Sequence, residues 1–275
     1  MITATFEEIT PEIAADMLGR MRRNRPVRDR QVAKITRDIK AGRWHLNGDS
    51  VKIGADGRLI DGQHRLLAIV NSDITVLTLV VRGVEPDAHH TIDTGLSRKF
   101  GDILAMDGQS EAQMLAALAR RLWFWEQGIY MYHHVTLVPS NPELDEFMEK
   151  NLDEFVNAIT WARPVYRDAR ITPTSLAAIK VILDRSGNAD KATAFLDGWV
   201  TGIDLEAGSP VLTLRRRFAR ADDMHSQGGA VTQPDRWAFA FTAWNAYVDG
   251  KTYDSKHTLS QPKGGFTNRN FPVPE

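Results

Sequence analysis

Every strand signal in this chain falls before residue 108, and that segregation limits the possible folds more than any other feature. Residues 75–81 are an apolar, β-branched run, the pattern of a central strand. Residues 50–53 alternate, Ala55-Asp56-Gly57 signals a turn, and 58–60 is a second short strand, so 50–60 reads as a hairpin. Asp61-Gly62 ends it, and 63–70 reads as a short buried helix. Thr10 before Pro11 opens a helix running to about Met21. Residues 28–41 form a second helix, with Val32, Ile35 and Ile39 inward and Arg30, Lys34, Arg37 and Asp38 outward. Residues 86–93 and 97–106 also read as helical.

Beyond Gly108 the pattern is helical only. Helices are expected over 111–127, 141–162, 172–185 and 188–200, with a shorter one from Ser209-Pro210 into an arginine cluster. The last starts at Gln233-Pro234 with Trp237, Phe241, Trp244 and Val248 inward. Aromatic stripes at helical spacing read as core rather than as base-stacking platforms. The expected organisation is an α/β (α+β) domain over 1–108, then an all-helical domain over 109–250. A Gly-, Pro- and Asn-rich tail over 251–275 is expected to be loosely ordered.

Composition removes several functions. Lys and Arg total 34 against 35 Asp and Glu, which excludes a wholly basic nucleic-acid coat and an acidic disordered chain. With no cysteine there is no disulfide, thiolate metal site or cysteine nucleophile. No apolar run reaches the roughly 18 residues of a membrane span. The acidic start lacks a signal-peptide core, so the expected location is the cytoplasm, with no membrane partner.

The balanced charge is unevenly distributed. Residues 20–43 carry ten basic side chains against Asp29 and Asp38. A second basic cluster is Arg215, Arg216, Arg217 and Arg220, and 143–154 is acidic. Local basic excess binds phosphates even on a neutral chain. Arg22, Arg23, Arg28, Arg30, Lys34, Arg37, Arg215, Arg216 and Arg217 are therefore candidate nucleic-acid contacts, although such runs also serve as solvated helix faces.

The stretch with the most chemistry is Asp61-Gly62-Gln63-His64-Arg65. A strand ends, Gly62 turns the chain, and the free N–H groups of the next helix point at one spot that favours an anion. Arg65 can grip two phosphate oxygens, and His64 adds a hydrogen-bonding or cationic group. Asp61 can hold a metal through water or orient His64, and Gln63 can position a water. The plainer alternative is a polar turn in which Asp61 caps the helix.

This pentapeptide resembles the DGQHR signature of DndB-type proteins in the wider ParB/sulfiredoxin superfamily. ParB proteins show G-E-R-R at the corresponding turn and sulfiredoxins show G-C-H-R. Gly62 and Arg65 fit all three, His64 fits sulfiredoxin and DndB, and Gln63 fits DndB alone. Residues 5–108, with Asn24-Arg25, Gly42-Arg43-Trp44, Asn47-Gly48-Asp49 and Asp93-Thr94-Gly95, are similar to ParB-like proteins of bacteria and phages. The resemblance implies a ParB/sulfiredoxin-like fold over 1–108, a small mixed sheet with helices, and binding of ATP or CTP, usually with Mg²⁺, followed by hydrolysis or phosphoryl transfer, in a setting of DNA modification or its regulation. It implies phosphate contacts from Gly62, Gln63, His64 and Arg65, and site roles for Arg25, Asn47, Gly48 and Asp93. Asp61, Gln63, His64 and Arg65 would be the catalytic set, with Asp61 assisting the metal. Sulfinic-acid reduction is excluded, because its cysteine is missing. No helix-turn-helix for a partition protein and no nuclease carboxylate cluster is evident.

Two rival expectations stand beside a Mg²⁺-dependent NTPase or phosphotransferase. One is a non-enzymatic DNA-binding regulator using 20–43 and 215–220. The other is a small-molecule kinase. The pairs His89-His90 and His133-His134 do not make metal pairs, since adjacent helical residues point apart. Asp222, Asp223 and His225 are a candidate ligand cluster, although they read more readily as a surface loop.

Overall fold

The computed structural model describes residues 1–21, 26–85, 88, 92, 98–132, 135–225, 231–253 and 259–274. The chain divides into two compact units, Met1–Arg98 with His134–Asp145, and Lys99–His133 with Glu146–Glu275.

The first unit is built on a four-stranded mixed sheet in the order β1-β4-β2-β3. β1 (Thr3–Ile9) pairs antiparallel with β4 (Val76–Val84). β2 (Ser50–Gly54) runs parallel to β4 and pairs antiparallel with β3 (Leu59–Asp61). β1 is an addition to the sequence reading, which starts its elements at Thr10. Its register places Ile9 beside Val76 at the buried end, while Thr3, Ala4, Thr5 and Phe6 are exposed. Three helices cover one face: α1 (Pro11–Gly19), α2 (Asp29–Lys40) and α3 (Gln63–Ser72). Thr10 Oγ1 caps α1 by accepting the Ile13 N–H. The core joins Val51, Ile53, Leu59, Val76 and Val80 of the sheet to Ala14, Met17, Val32, Ile39, Leu66 and Ile69 of the helices. Residue alternation explains the choice, since odd positions of β2 and even positions of β4 share the covered face.

The second unit is helical among the described residues. It contains α4 (Phe100–Met106), α5 (Ala112–Glu126), α7 (Leu152–Val165), α8 (Pro173–Asp184), α9 (Ala189–Thr201), α10 (Pro210–His225) and α11 (Gln233–Val248). α6 (Asn141–Glu149) begins in the first unit and ends in the second. The single helix expected over 141–162 is therefore two. Asn151 interrupts it, its side-chain amide donating to the Phe147 carbonyl at 2.6 Å in competition with the helical ladder. The short helix expected after Ser209-Pro210 runs for 16 residues, so Asp222, Asp223 and His225 belong to its last turns and not to the surface loop expected there.

α11 is buried on nearly every side, with Phe239 and Ala238 inside as well as the expected Trp237, Phe241 and Trp244. Thr232 and Asp235 form its capping box. Past Lys251 the described residues form no helix or strand, yet Leu259 and Phe271 are buried. Asn268 Oδ1 accepts the Tyr130 and Met131 N–H groups, so this tail is anchored where its composition suggests a loose end. Among the described residues no helix is long and apolar enough to cross a membrane.

Candidate functional site

Gly62 starts the site. It adopts a left-handed φ of +103°, and a Cβ there would stand 3.1 Å from the Val51 Cα, so both conformation and space call for glycine. The tight turn aims the start of α3 into a pocket of about 550 Å³ within the first unit. No side chain caps this helix, and its first internal bond is Leu66 N–H to Gly62 O, at 3.0 Å. Gly62 and the first three residues of α3 line the pocket, so the uncapped helix start, with its free first-turn N–H groups and the positive end of the dipole, lies at the pocket wall.

Gln63, the first residue of α3, lines the pocket. It is 9% exposed, and its Oε1 is buried with no hydrogen-bond partner. A buried acceptor left without a donor costs about 1–3 kcal/mol.

Arg65 also lines the pocket, with Nη1 donating to the Ser50 carbonyl and Nη2 lying 3.0 Å from Asp49 Oδ2. His64 is buried, and its Nε2 accepts the Arg28 peptide N–H at 3.0 Å. At that nitrogen the ring is an acceptor, so the charge-stabilising role expected of His64 does not run through Nε2. Instead the imidazole ties α3 to the start of α2.

Asp61 is bonded to Lys52 Nζ at 2.6 Å, and its other oxygen accepts the Gly62 N–H at 2.7 Å. Burial pushes its carboxyl up, but Lys52, the Gly62 N–H and the Arg65 guanidinium outweigh it and hold the carboxyl below its ordinary 3.8. The residue expected to assist a metal is thus already neutralised by a lysine. The pocket's other carboxylates are engaged too. Asp49 faces Arg65, and Asp38 accepts from Arg43 Nε at 3.1 Å and Ser140 Oγ at 2.7 Å. Among the described residues no group of three His, Asp or Glu could hold a metal. Asp61, Asp49 and Asp38 are the carboxylates that line the pocket, and each would have to share or give up its present partner to help hold a Mg²⁺ ion.

The wall opposite α3 comes from α2 and 43–47. Gln31, Ile35 and Asp38 share one face of α2, at the i, i+4, i+7 spacing. Asp38 was expected to face solvent, but its bonds to Arg43 and Ser140 turn it into the wall. Arg37, also expected outward, makes a bidentate pair with Glu143 (Nε to Oε1 3.0 Å, Nη2 to Oε2 3.1 Å) and donates to the Val138 carbonyl. Burial raises the Glu143 carboxyl, yet Arg37, the Ser140 N–H and Arg43 bring it below its ordinary 4.5. Trp44 supplies the aromatic lining, its indole N–H fixed on the Leu77 carbonyl at 2.9 Å.

The pocket thus gathers Asp61, Gly62, Gln63, His64, Arg65 and Asn47 from the candidates read in the sequence, and adds Arg28 from the basic segment. Asn47 Oδ1 accepts the Asp49 N–H in a tight turn, and Gly48 occupies the left-handed position of that turn without lining the pocket. Arg22, Arg23, Arg25 and Asp93 lie outside the described residues, as do the two histidine pairs and the side chains of Asp222, Asp223 and His225. Sequence reasoning missed Gln31, Asp38, Arg43 and Trp44 as lining groups. The spacing along α2 carried a signal for the first two.

The second basic cluster splits by role. Arg215 donates to the Trp199 and Val200 carbonyls at the end of α9, and Arg217 lies over the Phe239 ring at 4.7 Å. Arg216 and Arg30 are exposed, and Lys34 is half-buried. Comparison with family models, curated proteins and solved structures finds no match to this chain.

Proposed function

We propose that the first unit is a ParB-like nucleotide-binding module, with the phosphates at the start of α3 and hydrolysis or phosphoryl transfer as its chemistry. The observation that carries this reading is the uncapped start of α3 with Arg65 beside it, lining a pocket of about 550 Å³. That volume lies within the usual range for small-molecule sites. An anion at the turn meets N–H groups, the helix dipole and Arg65. A turn of the Gln63 side chain would bring its buried Oε1 into the pocket to take a hydrogen bond from a water or a ligand donor, the role that orients a nucleophile for phosphoryl transfer. Trp44 offers a ring surface, which suits a nucleobase. Arg28, exposed at the rim, adds a cation that reaches phosphate as the ligand enters.

Mg²⁺ would arrive with the nucleotide, held mainly by phosphate oxygens and water. DNA tracking draws less support, because Arg37, Arg215 and Arg217 are engaged within their own units. A small-molecule kinase uses the same pocket and differs in the acceptor.

The test is thermal stabilisation by ATP, CTP, GTP and ADP, each with and without Mg²⁺, for the native chain and Arg65→Ala. Bound ligand stabilises by RT ln(1 + [L]/Kd), so millimolar nucleotide registers weak binding. The expected result is a shift for at least one triphosphate that disappears in Arg65→Ala. No shift with any nucleotide overturns the reading.

A further inference from the structure

The two edges of the sheet are built differently. β3 is three residues long, its pairing with β2 slips at Lys52/Ile53, and its last residue is clamped by Lys52. Those features blunt an edge. β1 is seven residues long and keeps an unbroken register with β4. It carries no proline, lysine or bulge, and its outer row of backbone groups has no partner strand among the described residues. An edge of that kind is a template for another strand.

The register assigns its side chains to faces. Ala4, Phe6 and Glu8 lie opposite Val81, Leu79 and Leu77, on the face away from α1, α2 and α3. Phe6 is 61% exposed and Leu77 42%, with Leu79 and Val81 half-buried. This apolar strip reaches the free edge at Phe6.

We propose that β1 pairs with β1 of a second copy, antiparallel about a two-fold axis at Phe6. This register sets residue 3 against the partner's 9, 4 against 8, 5 against 7 and 6 against 6, so all seven residues of the strand are used. Each Glu8 then faces an alanine and each Glu7 a threonine, whose hydroxyl already donates to the Glu7 carboxylate within one chain at 2.5 Å. Like charges directly opposite destabilise a strand pair, and a shift of the axis to residue 7 would put Glu7 against Glu7. The axis at Phe6 avoids that clash and brings the two rings together, joining the two apolar strips across one continuous sheet. A two-fold contact needs such self-complementarity. The occupant is therefore a second copy of this chain rather than an unrelated strand.

Sedimentation velocity of the full chain across the micromolar range tests this. The expected species has twice the 30.8 kDa chain mass and reverts to monomer in Phe6→Glu, whose charges would meet on the axis. Phe6 is exposed, so that variant keeps its fold, which circular dichroism checks. The absence of native cysteine permits a register test. Mixed Ala4→Cys and Glu8→Cys chains should form a disulfide dimer on mild oxidation, while Ala4→Cys alone should not. A monomer throughout the range, a dimer that survives Phe6→Glu, or equal cross-linking of Ala4→Cys with itself would overturn the proposal.

Discussion

The arginines at the pocket of the first unit and those packed on the aromatic core of the second are held in opposite ways. In the first, Arg37, Arg43 and Arg65 are set against Glu143, Asp38 and Asp49, beside or on an open pocket. In the second, Arg121 lies 4.9 Å from the Tyr132 ring and 5.3 Å from that of Trp237, Arg217 lies over Phe239, and Arg236 lies 5.0 Å from Phe218. Burial pushes the Arg121 guanidinium below its ordinary range, with Tyr132 working against it. A cation paired at a solvent-lined rim can exchange its carboxylate for an incoming phosphate. A cation packed on rings acts through its stem and the ring quadrupole, and offers no approach to a polyanion. A run of arginines in a sequence therefore marks a binding surface only where the fold leaves the guanidiniums at a rim.

The largest effect should come from the ring-packed unit. Trp244 is fully buried, 5.5 Å from Phe195 in an edge-to-face contact. Trp244→Ala should cost about 3–5 kcal/mol in denaturant unfolding, through lost burial and the cavity left behind. A cost below about 1 kcal/mol would mean that the aromatic core repacks freely, and the contrast between the units would lose its basis. The pocket should behave in the reverse manner. Arg65→Ala should remove the whole nucleotide-dependent gain, about 2.7 kcal/mol when ligand is a hundredfold above its Kd, and leave the ligand-free protein folded.

The contrast also has a pH signature. The Glu143 carboxyl is held below its ordinary 4.5, so its contribution is complete above that value and is lost as pH falls through the lowered one. Glu143→Gln should cost about 1 kcal/mol at neutral pH, after allowance for solvent screening, and the difference should close in acid. A constant difference from pH 7 to 3 would show that Glu143 packs rather than pairs.

The part of the site that was legible in the sequence is its local part. A strand end, a glycine and a helix start lie within 59–65, so the turn needed no knowledge of distant partners. The core stripe of α2 was equally local. The pocket wall was not, because Asp38 and Arg37 face Ser140 and Glu143 from about a hundred positions away. With those partners unseen, both residues read as solvated charge. β1 was hidden for a related reason. It is exposed on both faces over most of its length and carries adjacent glutamates, so it lacks the alternation of a half-buried strand. Its order comes from β4, some seventy residues on.

A single atom then separates function from stability in the pocket. Gln63 Oε1 is buried without a donor, so Gln63→Leu should stabilise the ligand-free chain by about 1 kcal/mol while weakening nucleotide stabilisation or turnover. Destabilisation by the same substitution would mean that the amide is satisfied in solution, and that the pocket holds no vacant acceptor for a ligand.

The smallest expected effect sharpens the comparison most. Arg217 packs over Phe239, and its Nε is buried with no partner. Methionine keeps much of the stem and removes the orphaned donor, so Arg217→Met should change stability by less than about 1 kcal/mol in either direction. Arg37→Met removes the bidentate partner of a largely buried carboxylate and should cost about 1–2 kcal/mol, because Glu143 keeps only the more distant Arg43 as a cation. The same substitution, made once in each unit and followed by denaturant unfolding, thus reads out whether charge or stem is the part in use. Equal costs would show that the pairing in the first unit is as dispensable as the charge in the second.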